Sequence, residues 1–118
     1  MSQDLLTWTR VDGRMLIELA LPDTLDSAEF DRLNERLLAL ADQNAQEPWI
    51  LDLEKSHYFG SAVLGLLVNV RQRIHAAGGT LVLCCLSPYL TQVFQATSLV
   101  RLFTIARNRE DAMRLTRR

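Results

Sequence analysis

The stretch YFGSAVLGLL, residues 58–67, decides the fold of this chain. It comes shortly after the apolar segment WILDL, residues 49–53, and it begins a run of apolar residues at helical spacing that ends before Gly78 and Gly79. The apolar segment predicts a strand buried on both faces, and the run predicts an amphipathic helix with a left-handed glycine cap. Ser61 therefore stands where a strand passes into a helix, which indicates a regulatory surface more than an active-site cleft.

Ser61 supports two compatible roles at this junction. Its hydroxyl is expected to cap the helix, which is worth about 0.5–2 kcal/mol relative to alanine. The free amides of a first helical turn and the positive end of the helix dipole also favour an anion, so the same hydroxyl is placed to accept a phosphate. In the helix that follows, the spacing predicts that Leu64, Leu67 and Ile74 are buried.

Strand and helix patterns alternate along the rest of the chain. Residues 6–11 and 14–19 flank Asp12-Gly13, a strong signal for a two-residue turn, so they are expected to form an antiparallel hairpin. The other predicted elements are strands at 80–84 and 102–106 and helices that begin at Asp26 or Ser27, at Ser87-Pro88 and at Asn108.

This order of elements predicts a single α/β domain. Strands that alternate with helices call for right-handed crossovers and a mostly parallel sheet, and the N-terminal antiparallel hairpin makes that sheet mixed. The chain has 118 residues, of which 48% are hydrophobic, enough for one compact core. We therefore expect one domain over residues 1–118, with about four helices around the sheet.

Charge and hydropathy exclude some classes of protein. The net charge is -1 and the pI is near 6.1, which is not the basic balance expected of a nucleic-acid binder. Residues 1–54 hold 12 acidic and 4 basic residues, whereas residues 55–118 hold 2 and 9, an asymmetry that either steers a charged partner or cancels on folding. No apolar run approaches the roughly 20 residues of a membrane helix, so we expect a cytoplasmic protein without membrane insertion.

Cys84 and Cys85 are the two cysteines of the chain. Adjacent residues of a strand point to opposite faces, so this pair is expected not to form a disulfide readily and to stay reduced. The pair has no metal-ligand spacing, and no other motif calls for a metal or a cofactor. Strand cysteines are usually buried and inert, with redox sensing as the alternative.

An ordered set of motifs along the chain resembles the STAS domain family. The set comprises Asp52-Leu53, the stretch at 58–67, Gly78-Gly79 with LVL at 81–83, Leu86-Ser87-Pro88, and Leu99, Leu102 and Phe103. It covers the chain from about residue 7 to about residue 113, and it resembles most closely the stand-alone bacterial anti-sigma-factor antagonists. The resemblance implies a STAS-like fold.

The family's core motif has an Asp, two Ser and a Gly before the helix. Laid onto this chain, these positions are Gly60, Ser61, Ala62 and Val63. Ser61 matches the serine that family members have phosphorylated, so the phosphoacceptor hydroxyl is kept while its acidic neighbour and two small neighbours are replaced. Gly60 is expected to be needed for an unusual backbone angle, and Val63 is expected to make the start of the helix bulkier.

The resemblance implies a binding module and not an enzyme. The unphosphorylated antagonist would bind an anti-sigma factor that is also a serine kinase, phosphorylation of Ser61 would end the association, and a serine phosphatase would restore it. The predicted contacts are Gly60, Ser61, Ala62, Val63 and Arg71. The alternative is a STAS subunit or scaffold that is not phosphorylated, for example in a lipid-transport ATPase or a signalling complex. The oligomeric state stays open.

Arg71, Arg73 and His75 form a basic face on the helix that begins at the motif. Most charged helix faces are simply solvated, but this one adjoins the predicted contact region, so it is either solvent-facing or part of the partner surface.

Ser61, His57 and Asp52 are the residue types of a hydrolase triad. No nucleophile-elbow glycines surround Ser61, and such residue types often fall close together by chance, so no catalytic residue is predicted.

Overall fold

The computed structural model describes residues 4–117, which form five strands, four α-helices and one 3-10 turn. The strands are β1 (Leu6–Val11), β2 (Arg14–Leu19), β3 (Pro48–Asp52), β4 (Thr80–Cys84) and β5 (Thr104–Ala106). The helices are α1 (Ser27–Asn44), α2 (Ser61–Ala76), α3 (Pro88–Ala96) and α4 (Arg109–Leu115), and the 3-10 turn is Leu99–Arg101.

The five strands form one sheet in the order β1-β2-β3-β4-β5. The first two strands are antiparallel, and the others continue the sheet in parallel. Asp12 and Gly13 both have positive φ, 50° and 80°, which is the conformation a tight hairpin turn requires. Every residue of β3 is buried, as expected for a central strand. The predicted α/β fold with a mixed, mostly parallel sheet is confirmed.

Helices cover both faces of the sheet. α1, α2 and α3 pack on one face, where Leu37, Leu67 and Phe94 are fully buried in the larger core. α4 packs on the other face, where Ala112 belongs to a smaller core. Because parallel strands end at the same edge of a sheet, the loops that follow β3 and β4 lie side by side there.

The predicted caps of α1, α3 and α4 are present. The carboxylate of Asp26 accepts a hydrogen bond from the amide of Glu29, and the carboxylate of Glu29 accepts one from the amide of Asp26. This reciprocal pair starts α1, while Ser87 and Asn108 cap α3 and α4 with single side-chain bonds.

Two glycines end α2 for different physical reasons. Gly78 has a φ of +83°, the left-handed conformation that a helix end commonly takes. Its amide donates to the carbonyl of His75 at 3.0 Å, and the amide of Gly79 donates to that of Ile74 at 2.9 Å. Gly79 has no room for a side chain, because a Cβ there would lie 1.9 Å from the carbonyl oxygen of Ala45.

The last strand is shorter than predicted. β5 covers Thr104–Ala106, and the chain before it forms the 3-10 turn Leu99–Arg101. Phe103 precedes the strand and is buried against Phe94, with ring centroids 5.7 Å apart. Its core packing explains why an apolar run in the sequence extends beyond the strand itself.

The predicted arrangement of the two cysteines is wrong. Cys84 ends β4, and Cys85 follows it with a φ of 65°, outside the extended conformation that would separate the two side chains. Their sulfur atoms are 3.2 Å apart, and both thiols are free.

Candidate functional site

The start of α2 is the first part of the candidate site. The helix begins at Ser61, and Gly60 is its cap residue. The amide of Leu64 makes the first intrahelical bond, to the carbonyl of Gly60 at 3.2 Å, so the amides of Ser61, Ala62 and Val63 have no acceptor within the helix. Because no side chain caps this end, the predicted capping role of the Ser61 hydroxyl is wrong.

Gly60 occupies an ordinary backbone conformation. Its φ is -88° and its ψ is -172°, values that any residue adopts. A Cβ added at Gly60 would meet no atom within 4 Å. The prediction that Gly60 is needed for an unusual backbone angle is therefore wrong, and the structure has room for a side chain at this position.

The three residues after Gly60 differ in exposure. Ser61 and Ala62 are exposed, whereas Val63 is only 3% exposed and belongs to the larger core. The face of α2 that is buried is therefore slightly different from the predicted one, and Leu64, which was predicted to be buried, is only half-buried. The buried positions of α2 are Val63, Leu66, Leu67, Val70 and Ile74. Since the Val63 side chain fills core space, it does not make the surface of the helix start bulkier.

Ser56 fixes the loop between β3 and α2 to the neighbouring strand. It is completely buried, and its hydroxyl donates to the carbonyl of Leu19 at 2.7 Å. The same oxygen accepts a hydrogen bond from the amide of Leu21 at 3.0 Å. These two buried hydrogen bonds of Ser56 therefore fix the loop that precedes Ser61.

Two further hydrogen bonds join this loop to the end of β4 and to the chain that follows it. The amide of Leu53 donates to the carbonyl of Cys84 at 3.0 Å. The hydroxyl of Ser87 donates to the carbonyl of His57 at 2.7 Å. The start of α3 is thus fixed beside the start of α2.

Aromatic side chains and a small apolar pocket flank the exposed serine. The ring of Tyr89 lies 5.1 Å from that of Tyr58 and 6.1 Å from that of His57, and Tyr89 is 50% exposed. The pocket has a volume of about 230 Å³. It is lined by Pro22, Asp23, Thr24, Leu25, Phe30, Tyr58, Phe59, Gly60, Ala62 and Val63. Exposed rings beside an apolar pocket are typical of a protein-binding surface.

Neither Ser56 nor Tyr89 is among the residues predicted for the site. Ser56 lies in a polar loop, and nothing in that loop's pattern distinguishes a buried serine from an exposed one. Tyr89 had a usable signal, because Ser87-Pro88 predicts a helix start after a parallel strand, at the same edge of the sheet as Ser61.

The basic face of α2 is largely engaged within the molecule. Arg71 donates a hydrogen bond from its Nε to the carbonyl of Leu102, and Arg73 forms an ion pair with Asp42 of α1. At 1.5 Å per residue, Arg71 is about 15 Å along the helix from Ser61. Arg71 is therefore peripheral to the exposed start of the helix.

Asp52 has a structural environment, not a catalytic one. It is 2% exposed, and its carboxylate accepts hydrogen bonds from the Nε of Arg109 at 2.5 Å and from the amide of Glu54 at 2.8 Å. The hydrogen bond to this carboxylate raises the pKa of the Arg109 guanidinium. With Asp52 paired to Arg109 and the His57 ring against Tyr89, these residues are not arranged as a triad around Ser61.

One group of potential metal ligands occurs within residues 4–117. It comprises Asp52, Cys84 and Cys85, whose ligand atoms lie within 4.8 Å of one another. Both oxygens of the carboxylate already accept hydrogen bonds, whereas the two thiols are free.

Comparisons with known proteins agree with this architecture. The family model of the STAS domain matches residues 9–112. BtrV of Bordetella bronchiseptica, named as a candidate anti-sigma factor antagonist, is 31% identical over 107 residues, which cover 91% of this chain and 90% of that protein. None of the helices described here is long and apolar enough to cross a membrane.

Two solved structures show the same fold at lower identity. An anti-sigma-factor antagonist (STAS) domain protein from Planctomyces limnophilus has a TM-score of 0.81 at 24% identity, and the match covers 95% of this chain and 98% of that one. The Bacillus cell fate determinant SpoIIAA in its phosphorylated form has a TM-score of 0.68 at 22% identity, with 93% and 98% covered. From the family match, the similarity to BtrV and the shared fold, it follows that this chain belongs to the STAS domain family.

Proposed function

We propose that this chain is an anti-sigma-factor antagonist-like binding module, which binds a kinase-type anti-sigma factor and is regulated by phosphorylation of Ser61. One observation carries the proposal: an exposed serine occupies the first position of α2, where the amides of the first turn have no intrahelical acceptor. BtrV and the Planctomyces limnophilus protein indicate the class of partner, since both are described as anti-sigma factor antagonists.

The start of α2 tolerates a phosphate within the folded domain. A phosphoserine carries about -1.5 to -2 charges at neutral pH. The free amides and the positive end of the helix dipole stabilise negative charge at this position. Because Ser61 is exposed and its hydroxyl is not needed as a cap, modification costs the domain no buried contact.

The same phosphate would disrupt a partner packed on this surface. The proposed contact surface consists of Gly60, Ser61, Ala62, Tyr58 and Tyr89 together with the apolar pocket beside them. A partner covering it would have to bury or repel a nearly doubly charged group, which costs several kcal/mol if the group is unpaired. Val63 supports the surface from within the core, and Arg71 would contribute only at its periphery.

The phosphorylated form of SpoIIAA supports the regulatory part of the proposal, because it shows that this fold accommodates a phosphorylated state in one relative. The chain departs from the family motif at Gly60 and Ala62, which removes an acid and a second hydroxyl beside Ser61. A kinase that acts on this protein would therefore recognise the surface without an acidic neighbour. The proposal assigns no catalytic activity to the chain, and it places the chain in the cytoplasm with a serine phosphatase that restores binding.

Incubation with a kinase-type anti-sigma factor from the organism that makes this chain, with ATP, tests the proposal. Mass spectrometry should locate one phosphate on Ser61, and Ser61→Ala should abolish it while Ser27→Ala, a matched exposed serine at the start of α1, should not. Phosphate only at other residues would remove Ser61 from this role. Stable binding without any phosphorylation would favour the alternative, a STAS subunit or scaffold that is not phosphorylated.

A further inference from the structure

Cys84 and Cys85 lie at the carboxyl end of β4 in a geometry that adjacent residues of a strand do not have. Because Cys85 has left the extended conformation, with a φ of 65°, its sulfur lies 3.2 Å from that of Cys84. A positive φ is uncommon for a residue other than glycine, and here it brings two thiols into contact. These are the chain's two cysteines, so any disulfide within one molecule must join them.

We propose that Cys84 and Cys85 form a redox-active pair that a peroxide converts into a vicinal disulfide. The thiolate of Cys85 would attack a peroxide oxygen, giving a sulfenic acid and releasing hydroxide or an alkoxide. The thiol of Cys84 would then displace the sulfenic oxygen as water, forming the S–S bond. In total, two thiols are oxidised by two electrons while one peroxide is reduced, and a dithiol or two thiols reverse the step.

The Sγ–Sγ and Cα–Cα distances favour a disulfide that is readily reduced over a permanent one. The sulfur atoms need to approach from 3.2 Å to about 2.05 Å. Adjacent α-carbons are about 3.8 Å apart across a trans peptide, below the usual range for disulfide-bonded residues. A ring closed between neighbours is therefore strained, and strained disulfides are the readily reduced ones.

Exposure sets the order of the two steps. Cys85 is partly exposed, whereas Cys84 is completely buried, so an oxidant from solution reaches Cys85 first. Burial raises the pKa of the Cys85 thiol, its hydrogen bond with Cys84 lowers it in part, and the negative charges of Asp52 and Glu54 raise it, so that the net shift is upward. Arg109, paired with Asp52, is the cation facing the pair.

The surroundings favour thiol oxidation over metal binding. A cation held by both sulfurs and the carboxylate of Asp52 would compete for that carboxylate with the guanidinium of Arg109, and the carboxylate also accepts a hydrogen bond from the amide of Glu54. Oxidation needs only the two sulfurs, which already touch.

The position of the pair links it to the loop that carries Ser61. The carbonyl of Cys84 accepts a hydrogen bond from the amide of Leu53, and the hydroxyl of Ser87 donates one to the carbonyl of His57. A disulfide would change the backbone conformation of the peptide between Cys84 and Cys85, which lies between the hydrogen-bonding groups of Cys84 and Ser87. We therefore expect it to loosen the loop between β3 and α2. The oxidation and the loosening of the loop are independent of the proposed function, and only a change in partner binding that follows from them rests on that function.

The experiment treats the full-length reduced protein with hydrogen peroxide and follows its intact mass and free thiols. We expect monomers that lose two hydrogens and both free thiols, and that regain them with dithiothreitol. Cys85→Ser should not show this mass loss. A protein that stays reduced, forms only disulfide-linked dimers, or proceeds directly to sulfinic acid would overturn the proposal. Zinc that stays bound through desalting and protects both thiols would overturn it too, in favour of a metal site.

Amide hydrogen exchange of the oxidised and reduced proteins tests the link to the loop. Exchange of residues 53–61 should be faster in the oxidised wild type and unchanged by the same treatment of Cys85→Ser. Unchanged exchange in a fully oxidised wild type would overturn the link while leaving the disulfide intact. This readout needs no anti-sigma factor, so it is separate from any failure of the proposed function.

Discussion

The buried hydroxyl of Ser56 donates a hydrogen bond of 2.7 Å to the carbonyl of Leu19, and it thereby ties the loop before α2 to the end of β2. It also accepts a bond from the amide of Leu21. Ser56→Ala would leave that buried amide without its acceptor, so we expect the free energy of unfolding to fall by about 1–3 kcal/mol. Urea denaturation measures the change.

Ser27 provides the matched control for Ser56. It is exposed at the first position of α1, and Ser27→Ala should change stability by less than about 0.5 kcal/mol. Equal effects of the two substitutions would show that the Ser56 contacts do not stabilise the loop.

Gly60→Asp should stabilise the domain. The position has room for a side chain and an extended backbone, and a carboxylate there would accept a hydrogen bond from the first turn of α2. We expect a gain between a few tenths and about 1 kcal/mol in the free energy of unfolding. Gly60→Ala fits the same space but has no acceptor, so a thermal denaturation in which the Ala variant equals or exceeds the Asp variant would contradict this interpretation.

Gly79 and Gly65 should respond oppositely to alanine. Gly79→Ala would place a Cβ 1.9 Å from the carbonyl oxygen of Ala45, which forces the backbone to move, and we expect a loss of about 2 kcal/mol or more. Gly65 is exposed within α2 and has open space around it, so Gly65→Ala should gain about 0.5–1 kcal/mol. Chemical denaturation of both variants measures the difference, and a neutral Gly79→Ala would contradict the close approach.

The sequence was sufficient to predict the order of strands and helices, because periodicity and caps are local. Asp12-Gly13, Asp26 and Gly78 lie where the structure has its turn, cap and left-handed helix end. The local chemistry of the site was harder to predict. Whether Ser61 or Gly60 caps α2 depends on a one-residue shift, which the motif does not determine.

The other two differences concern Phe103 and Cys85. The apolar pattern predicts Phe103 in a strand, but its ring packs on that of Phe94 before the strand begins. The strand pattern predicts an extended chain through both cysteines, but Cys85 has a φ of 65°. Neither the ring contact nor the positive φ can be read from the spacing of apolar and polar residues.

Alkaline pH should destabilise the reduced protein. Burial raises the pKa of the Cys84 thiol, so the folded state keeps its proton at pH values where the unfolded chain, with a thiol pKa of about 8.5, has lost it. The stabilisation is complete below the pKa of the unfolded chain and is lost as the pH rises towards the pKa of the folded state. Denaturation between about pH 7.5 and about pH 9.5 should show stability falling less steeply in Cys84→Ala than in the wild type. Identical slopes would contradict the shift.

The affinities of Ser61→Ala and Ser61→Asp for the cognate kinase-type anti-sigma factor test the central claim most directly. Both variants should fold, because Ser61 is exposed and an acid at a helix start is favourable. We expect the Ala variant to bind as tightly as the wild type, and the Asp variant to bind at least about tenfold more weakly, equivalent to about 1.4 kcal/mol. Equal affinities of the two folded variants would show that negative charge at Ser61 does not control binding.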